Sequence, residues 1–172
     1  MGHFTKEQER AKKELMTPLL LEAGAALLDC QGFEYGMALF LYQLSRLNLI
    51  EGLDTAKMQA IMDDVEKKTA GQLIKMLKEY AAFSEEQETA LSDALKARNK
   101  MIHRVLIDNS ERFADTEERK LLVKEIRQLR KTVNNGDAVL RDINNNLCAA
   151  LDGFDLDSLK EELASKLFSR AV

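Results

Sequence analysis

The stretch that decides the fold is residues 122–154, LVKEIRQLRKTVNNGDAVLRDINNNLCAALDGF. Apolar or small residues recur along it in alternating steps of four and three, at Leu122, Ile126, Leu129, Val133, Gly136, Leu140, Ile143, Leu147, Ala150 and Phe154. Such steps keep one face of an α-helix apolar and form a coiled-coil-like seam. Asn134-Asn135-Gly136 would ordinarily end a helix. Because the spacing continues in phase across it, we predict one continuous helix whose seam packs against the protein's own bundle, with partner contact left open.

The rest of the chain also repeats its apolar residues at helical spacing, so we predict an all-α protein. Residues 19–47 are apolar nearly all round and contain several small side chains, which is typical of a helix in the middle of a bundle. Before them, Thr5 begins a charged helix that runs toward Met16, and Pro18 fits the first turn of the next helix. Further helices are predicted at residues 54–67 and 69–80, after the capping residues Ser84 and Asp115, and at residues 155–169.

Length and composition favour a single helical domain over residues 1–172, an up-and-down bundle with its core at about 19–151 and an extra C-terminal helix at 155–169. The net charge of -4 argues against a protein that coats nucleic acid, but not against a local basic site. Cys30 and Cys148 lie in apolar helical surroundings and are predicted core residues. The charged start of the chain and the short, acid-interrupted apolar run at 19–28 predict a soluble, cytoplasmic protein that does not enter a membrane.

One arginine stands out in the helix that follows Ser84. The apolar residues of this helix, Leu91, Leu95, Ile102, Val105 and Leu106, define a face meant for burial. At about 100° per residue, Arg98 falls near the middle of that face. A buried guanidinium stays charged and needs a carboxylate, carbonyl oxygens or an anionic ligand.

Polar and basic side chains lie beside this arginine. Asn99 and His103 are four residues apart and share the neighbouring face of the helix. Three cations, Lys96, Lys100 and Arg104, form a parallel row, here called the basic row. A polyanion such as RNA suits these residues. The alternative is structural: Arg98 pairs with a carboxylate of Glu22, Asp29 or Glu34, His103 donates to a backbone carbonyl, and the basic row is a solvated face.

The segment Arg98-Asn99-Lys100-Met101-Ile102-His103 resembles the R-polar-x-x-x-H signature of the HEPN superfamily. The resemblance covers roughly residues 19–151, with an apolar helix early, the signature helix after it and another helix closing the bundle. It implies a homodimer in which two signature helices face each other, and a metal-independent endoribonuclease without a cofactor. Such proteins occur in toxin–antitoxin, abortive-infection and RNA-processing systems, which implies an antitoxin or a nucleotidyltransferase as a further partner.

The resemblance also implies roles for the three signature residues. His103 would move the proton of the ribose 2′-hydroxyl or of the leaving 5′-oxygen, since imidazole titrates near neutral pH. Arg98 would hold the scissile phosphate and stabilise its developing charge, and Asn99 would orient the phosphate or the imidazole. From spacing alone, the basic row is predicted to steer the RNA backbone.

One departure from the family concerns Val105, which stands where some toxin members carry a modifiable tyrosine. This puts neutralisation by a nucleotidyltransferase in doubt. Two alternatives remain: a non-catalytic helical scaffold that uses the seam, and a module that binds RNA or nucleotide without cutting it. The acidic residues Asp63, Asp64 and Glu66 are predicted to form a solvated patch, and no metal-ligand spacing is present.

Overall fold

The computed structural model describes residues 5–46, residue 56 and residues 70–152. These ranges contain α1 (Lys6–Arg46), α2 (Ala70–Tyr80), α3 (Glu85–His103), a 3₁₀ helix (Ser110–Phe113) and α4 (Thr116–Asp152). There are no strands in the described ranges, so the prediction of an all-α helical bundle is confirmed. The predicted helix at 155–169 lies outside the described residues, and so does the predicted helix at 54–67 apart from residue 56. The acidic residues Asp63, Asp64 and Glu66 and the seam residue Phe154 also lie outside them.

The contacts divide the chain into two compact units. The first comprises Met1–Phe33 and Thr89–Gly136, and the second comprises Glu34–Glu88 and Asp137–Val172. Helices α1 and α4 each run without interruption from one unit's residues into the other's.

The core of the first unit comes from one face of each of its helices. Its fully buried large side chains are Leu19, Phe33, Leu91, Val105, Leu122 and Ile126. On the outer side of α1, four leucines remain about half or more exposed: Leu20, Leu21, Leu27 and Leu28. The prediction of a helix in the middle of a bundle is therefore wrong for this half of α1, because its neighbours in the unit cover only one of its faces.

The second unit encloses the other half of α1 more fully. Its buried side chains include Met37, Phe40, Leu41, Leu44, Leu73, Leu77 and Leu140. Two buried polar contacts join α1 to α4: Gln43 Nε2 donates to the Cys148 thiol at 2.9 Å, and Asn144 Nδ2 donates to the Gly36 carbonyl at 2.9 Å. Cys30 and Cys148 are both buried in the core, as predicted.

The predicted break before Pro18 does not occur, since α1 is one helix with Pro18 inside it. A proline lacks the N–H that would bond the carbonyl four residues earlier, here that of Glu14. Both residues lie on the exposed side of the helix. The preceding Thr17 donates its hydroxyl to the Lys13 carbonyl at 2.7 Å. The packing of Leu19 and the buried residues after it holds the helix through this point.

Helix α4 is continuous across Asn134-Asn135-Gly136, which confirms the prediction from the seam. The reason for the glycine is a close approach between helices. A Cβ at position 136 would lie 2.4 Å from Ala94 Cβ, 3.2 Å from the Ala90 carbonyl oxygen and 3.2 Å from Phe33 Cε2. Gly136 therefore lets α4 pack closely against α3 and α1. After Leu140 the most buried positions are Asn144 and Cys148, one residue later than the predicted Ile143 and Leu147.

Candidate functional site

Helix α3 carries the signature residues, and its start is fixed by the predicted capping residue Ser84, which forms a capping box with Gln87. Gln87 N–H donates to Ser84 Oγ at 3.3 Å, and Ser84 N–H donates to Gln87 Oε1 at 2.9 Å. Each side chain thus satisfies a backbone donor that the first turn leaves without a partner. With the start of α3 fixed at Glu85, the signature occupies the last two turns of the helix.

Helix α3 ends at His103, and a hydrogen-bond network holds the loop that follows. The N–H groups of both Arg104 and Val105 donate to the Lys100 carbonyl, at 3.0 and 2.9 Å. Asn109 Nδ2 donates to the Val105 carbonyl at 2.8 Å, and Asn109 Oδ1 accepts from Arg112 Nη1 at 2.8 Å. This places the signature histidine at the junction between a helix and an anchored loop.

Arg112 anchors this loop to α4. Its guanidinium pairs with Glu125 at 2.9 Å and with Glu118 at 2.9 Å. The hydrogen bond from Arg112 holds the pKa of Glu125 below its ordinary value, and the charge of Lys100 contributes further. Asp115 caps α4 as predicted, since Glu118 N–H donates to Asp115 Oδ1 at 2.9 Å. The Glu118 side chain accepts from Arg112 Nε.

The buried face of α3 is rotated from the face that the sequence predicted. Its buried residues are Leu91, Ala94, Ala97 and Met101, continued after the helix by Val105. Ile102 and Leu106 are each 37% exposed. Arg98 is half-buried at the margin of this face, so its prediction as a central, inward-facing residue is wrong. The small residues Ala94 and Ala97 form the true face because α4 approaches α3 closely at Gly136.

The three signature side chains come together at this margin. Arg98 Nη1 donates to Asn99 Oδ1 at 3.1 Å and lies 3.4 Å from His103 Nε2. A guanidinium only donates hydrogen bonds, so Nε2 can accept one from Arg98 only in the tautomer that leaves this ring nitrogen without a proton. Asn99 and His103 are exposed and reachable by a ligand. We call Arg98, Asn99 and His103 the signature cluster.

The basic row is exposed as predicted, but two of its members have acidic neighbours. Lys96 Nζ lies 3.0 Å from Asp93 Oδ1, and Arg104 Nη1 lies 3.8 Å from Asp108 Oδ1. Exposed pairs of this kind contribute only about 0–1 kcal/mol. A phosphate can therefore compete for these cations at little cost, although the two carboxylates reduce the local positive charge.

Two of the three carboxylates considered as partners for Arg98 are engaged by α4. Glu22 pairs with Arg127 at 2.8 Å and with Arg130, and Asp29 pairs with Arg130 at 2.6 Å. The hydrogen bond from Arg127 holds the pKa of Glu22 below its ordinary value of 4.5, although partial burial acts in the opposite direction. This cluster joins α1 to α4 within the first unit.

The arginine that is buried in the described chain is Arg119, a residue for which no role was predicted. The residue is 8% exposed. The spacing of the seam indicates this burial, because Arg119 lies three residues before Leu122 and seven before Ile126. It therefore extends the buried face of the helix by one turn.

The chain matches no family model, no curated protein and no solved structure. In the described ranges, no group of three or more His, Cys, Asp or Glu side chains is placed to hold a metal ion. None of the helices described is long and apolar enough to cross a membrane.

Proposed function

We propose that the protein is a HEPN-like, metal-independent endoribonuclease whose chemistry is carried by the signature cluster. The observation that supports this proposal is the 3.4 Å contact between Arg98 Nη1 and His103 Nε2 on an exposed surface. It brings a fixed positive charge and an imidazole nitrogen that can accept a proton to one place, which suits cleavage of RNA by its own 2′-hydroxyl.

The reaction would proceed by an internal displacement. His103 Nε2 accepts the proton of the 2′-hydroxyl, the 2′-oxygen bonds to the adjacent phosphorus, and the bond to the 5′-oxygen breaks. The products are a 2′,3′-cyclic phosphate and a 5′-hydroxyl. Arg98 donates to the phosphate oxygens as charge develops on them. Asn99, already 3.1 Å from Arg98, orients the guanidinium.

A second copy of the chain would complete the site. The leaving 5′-oxygen needs a proton donor, whereas the signature cluster contains a single imidazole. In a homodimer with facing signature helices, His103 of the second copy supplies that proton. The basic row would bind the RNA backbone on either side, in a cytoplasmic toxin or phage-defence role that includes a partner protein.

The test is cleavage of single-stranded RNA by purified, EDTA-treated protein. We expect a 2′,3′-cyclic phosphate product and a rate reduced by about 10²-fold or more in His103→Ala, the usual contribution of a positioned acid or base. The melting temperature should hardly change, because His103 is exposed. His3→Ala replaces the other histidine of the chain and should cleave as the wild type does.

Two results would contradict the proposal. One is a folded wild-type protein that leaves a panel of single-stranded RNAs intact, and the other is an unchanged rate in His103→Ala. RNA that is bound but not cut would instead support the binding-module alternative.

A further inference from the structure

The buried guanidinium of Arg119 has uncharged partners. Arg119 Nη1 donates to the Phe113 carbonyl at 2.5 Å, and Nη2 donates to Thr116 Oγ1 at 2.8 Å. These are its hydrogen bonds in the described part of the chain, and they use two of the five N–H groups that a guanidinium carries. An arginine residue that is only 8% exposed and has no acidic partner among the described residues is costly to the fold. An anion placed beside it would offset that cost.

Two clefts meet at this arginine. One, of about 440 Å³, lies between α1 and the start of α4, and the other, of about 590 Å³, lies between α1 and the 3₁₀ helix. Arg119 and Leu15 line both clefts. Both volumes fall within the range of about 300–1,000 Å³ that small-molecule sites occupy.

The walls of the clefts are apolar apart from their charged rim. Pro18, Leu19 and Val123 line the first cleft, and Met16 and Phe113 line the second. The two acidic residues on the wall of the first cleft are already paired, Glu14 with Arg10 at 3.0 Å and Glu117 with Lys120 at 2.7 Å. Lys124 adds a further positive charge there. The clefts thus combine an apolar lining with a net positive charge.

We propose that these clefts bind an amphipathic anion, an apolar body that carries a carboxylate or phosphate group. The oxyanion accepts from the remaining N–H groups of Arg119, where charge-assisted hydrogen bonds are strongest. The apolar body lies along Leu15 and the neighbouring apolar walls. This site shares no residue with the signature cluster and does not depend on the proposed nuclease activity.

The first experiment is calorimetric titration of the 172-residue chain with dodecanoate and with dodecyl phosphate, below the concentration at which they self-associate. We expect saturable binding of at least one of them, with one molecule per chain. Dodecanol lacks the charge and inorganic phosphate lacks the apolar body, so each should bind at least tenfold more weakly. Absence of binding by both amphiphiles, or equal binding of dodecanol, would overturn the proposal.

The second experiment supplies the missing carboxylate from the protein itself. Leu15 is 52% exposed and borders both clefts together with Arg119, so Leu15→Glu should fold, place an anion near the guanidinium and repel the ligand. We expect its affinity for the bound amphiphile to fall at least tenfold and its melting temperature without ligand to rise. Leu28→Glu, the same change at a 68% exposed position of α1 outside the clefts, should keep the wild-type affinity.

Arg119→Gln separates a ligand site from a purely structural role of the arginine. For a ligand site, the variant loses amphiphile affinity at least tenfold. If Arg119→Gln and Leu15→Glu both bind dodecanoate and dodecyl phosphate as the wild type does, the arginine only fastens the 3₁₀ helix to α4 and the proposal is wrong.

Discussion

Replacing Gly136 by alanine tests the close approach of α4 to α3 more directly than any other single change. In the interior of a helix, Gly→Ala normally stabilises by about 1 kcal/mol. Here the new methyl would lie 2.4 Å from Ala94 Cβ. Carbon atoms in contact lie about 3.5–4.0 Å apart, so the overlap is about 1 Å or more. Both Cβ atoms are fixed to helical backbone, so no side-chain rotation relieves the overlap and the helices must move apart.

The expected change in the free energy of unfolding is the difference between the cost of this overlap and the gain in helix propensity. Overpacking a core costs about 1–3 kcal/mol, and an overlap between two backbone-fixed atoms belongs at the upper end. After subtraction of the gain in helix propensity, Gly136→Ala should lower the free energy of unfolding by about 2 kcal/mol. For a chain of 172 residues this corresponds to a fall in melting temperature of about 4–8 °C. Urea and thermal denaturation followed by circular dichroism measure both quantities.

Matched variants show whether the contact is the cause. Gly24 lies in α1 with no heavy atom within 4 Å of its Cβ position, so Gly24→Ala should stabilise by up to about 1 kcal/mol. Adding Ala94→Gly to Gly136→Ala removes the facing methyl and should recover part of the loss, giving a favourable coupling energy of about 1–2 kcal/mol. Stabilisation by Gly136→Ala equal to that by Gly24→Ala would refute the close packing of these helices.

Two further predictions concern charge and capping. Because Arg127 and Arg130 lower the pKa of Glu22 in the folded protein, Glu22 contributes stability above its ordinary pKa of 4.5, and this contribution is lost as the pH falls through the lower folded value. As the pH drops below about 4.5, the free energy of unfolding of Glu22→Gln should therefore fall less steeply than that of the wild type. Urea denaturation at several pH values measures both. If the two proteins lose stability in parallel as the pH falls, the result would argue against this ion pair. Ser84→Ala removes the acceptor of the Gln87 N–H and should lower the free energy of unfolding by about 1 kcal/mol, whereas an unchanged urea midpoint would show that the cap contributes nothing.

Local patterns in the sequence determined much of this fold. The apolar spacing predicted the helices, and it correctly carried α4 through Asn134-Asn135-Gly136. The capping residues Ser84 and Asp115 begin their helices as predicted, because a cap depends on neighbours three residues away. The signature cluster was also predictable in part, since residues within one or two turns of a helix lie near each other in any fold.

Only the tertiary structure decided which faces of these helices are covered. Arg98 and Arg119 both lie in phase with an apolar pattern, yet Arg119 is buried and Arg98 lies at a margin, because the packing partner of each helix selects the buried face. Packing against neighbouring helices likewise decided that α1 continues through Pro18 and that the leucines on its outer side stay exposed. Helical periodicity fixes which side chains share a face, but the direction that face points is set by contacts between segments more than a hundred residues apart, such as Phe33 and Gly136.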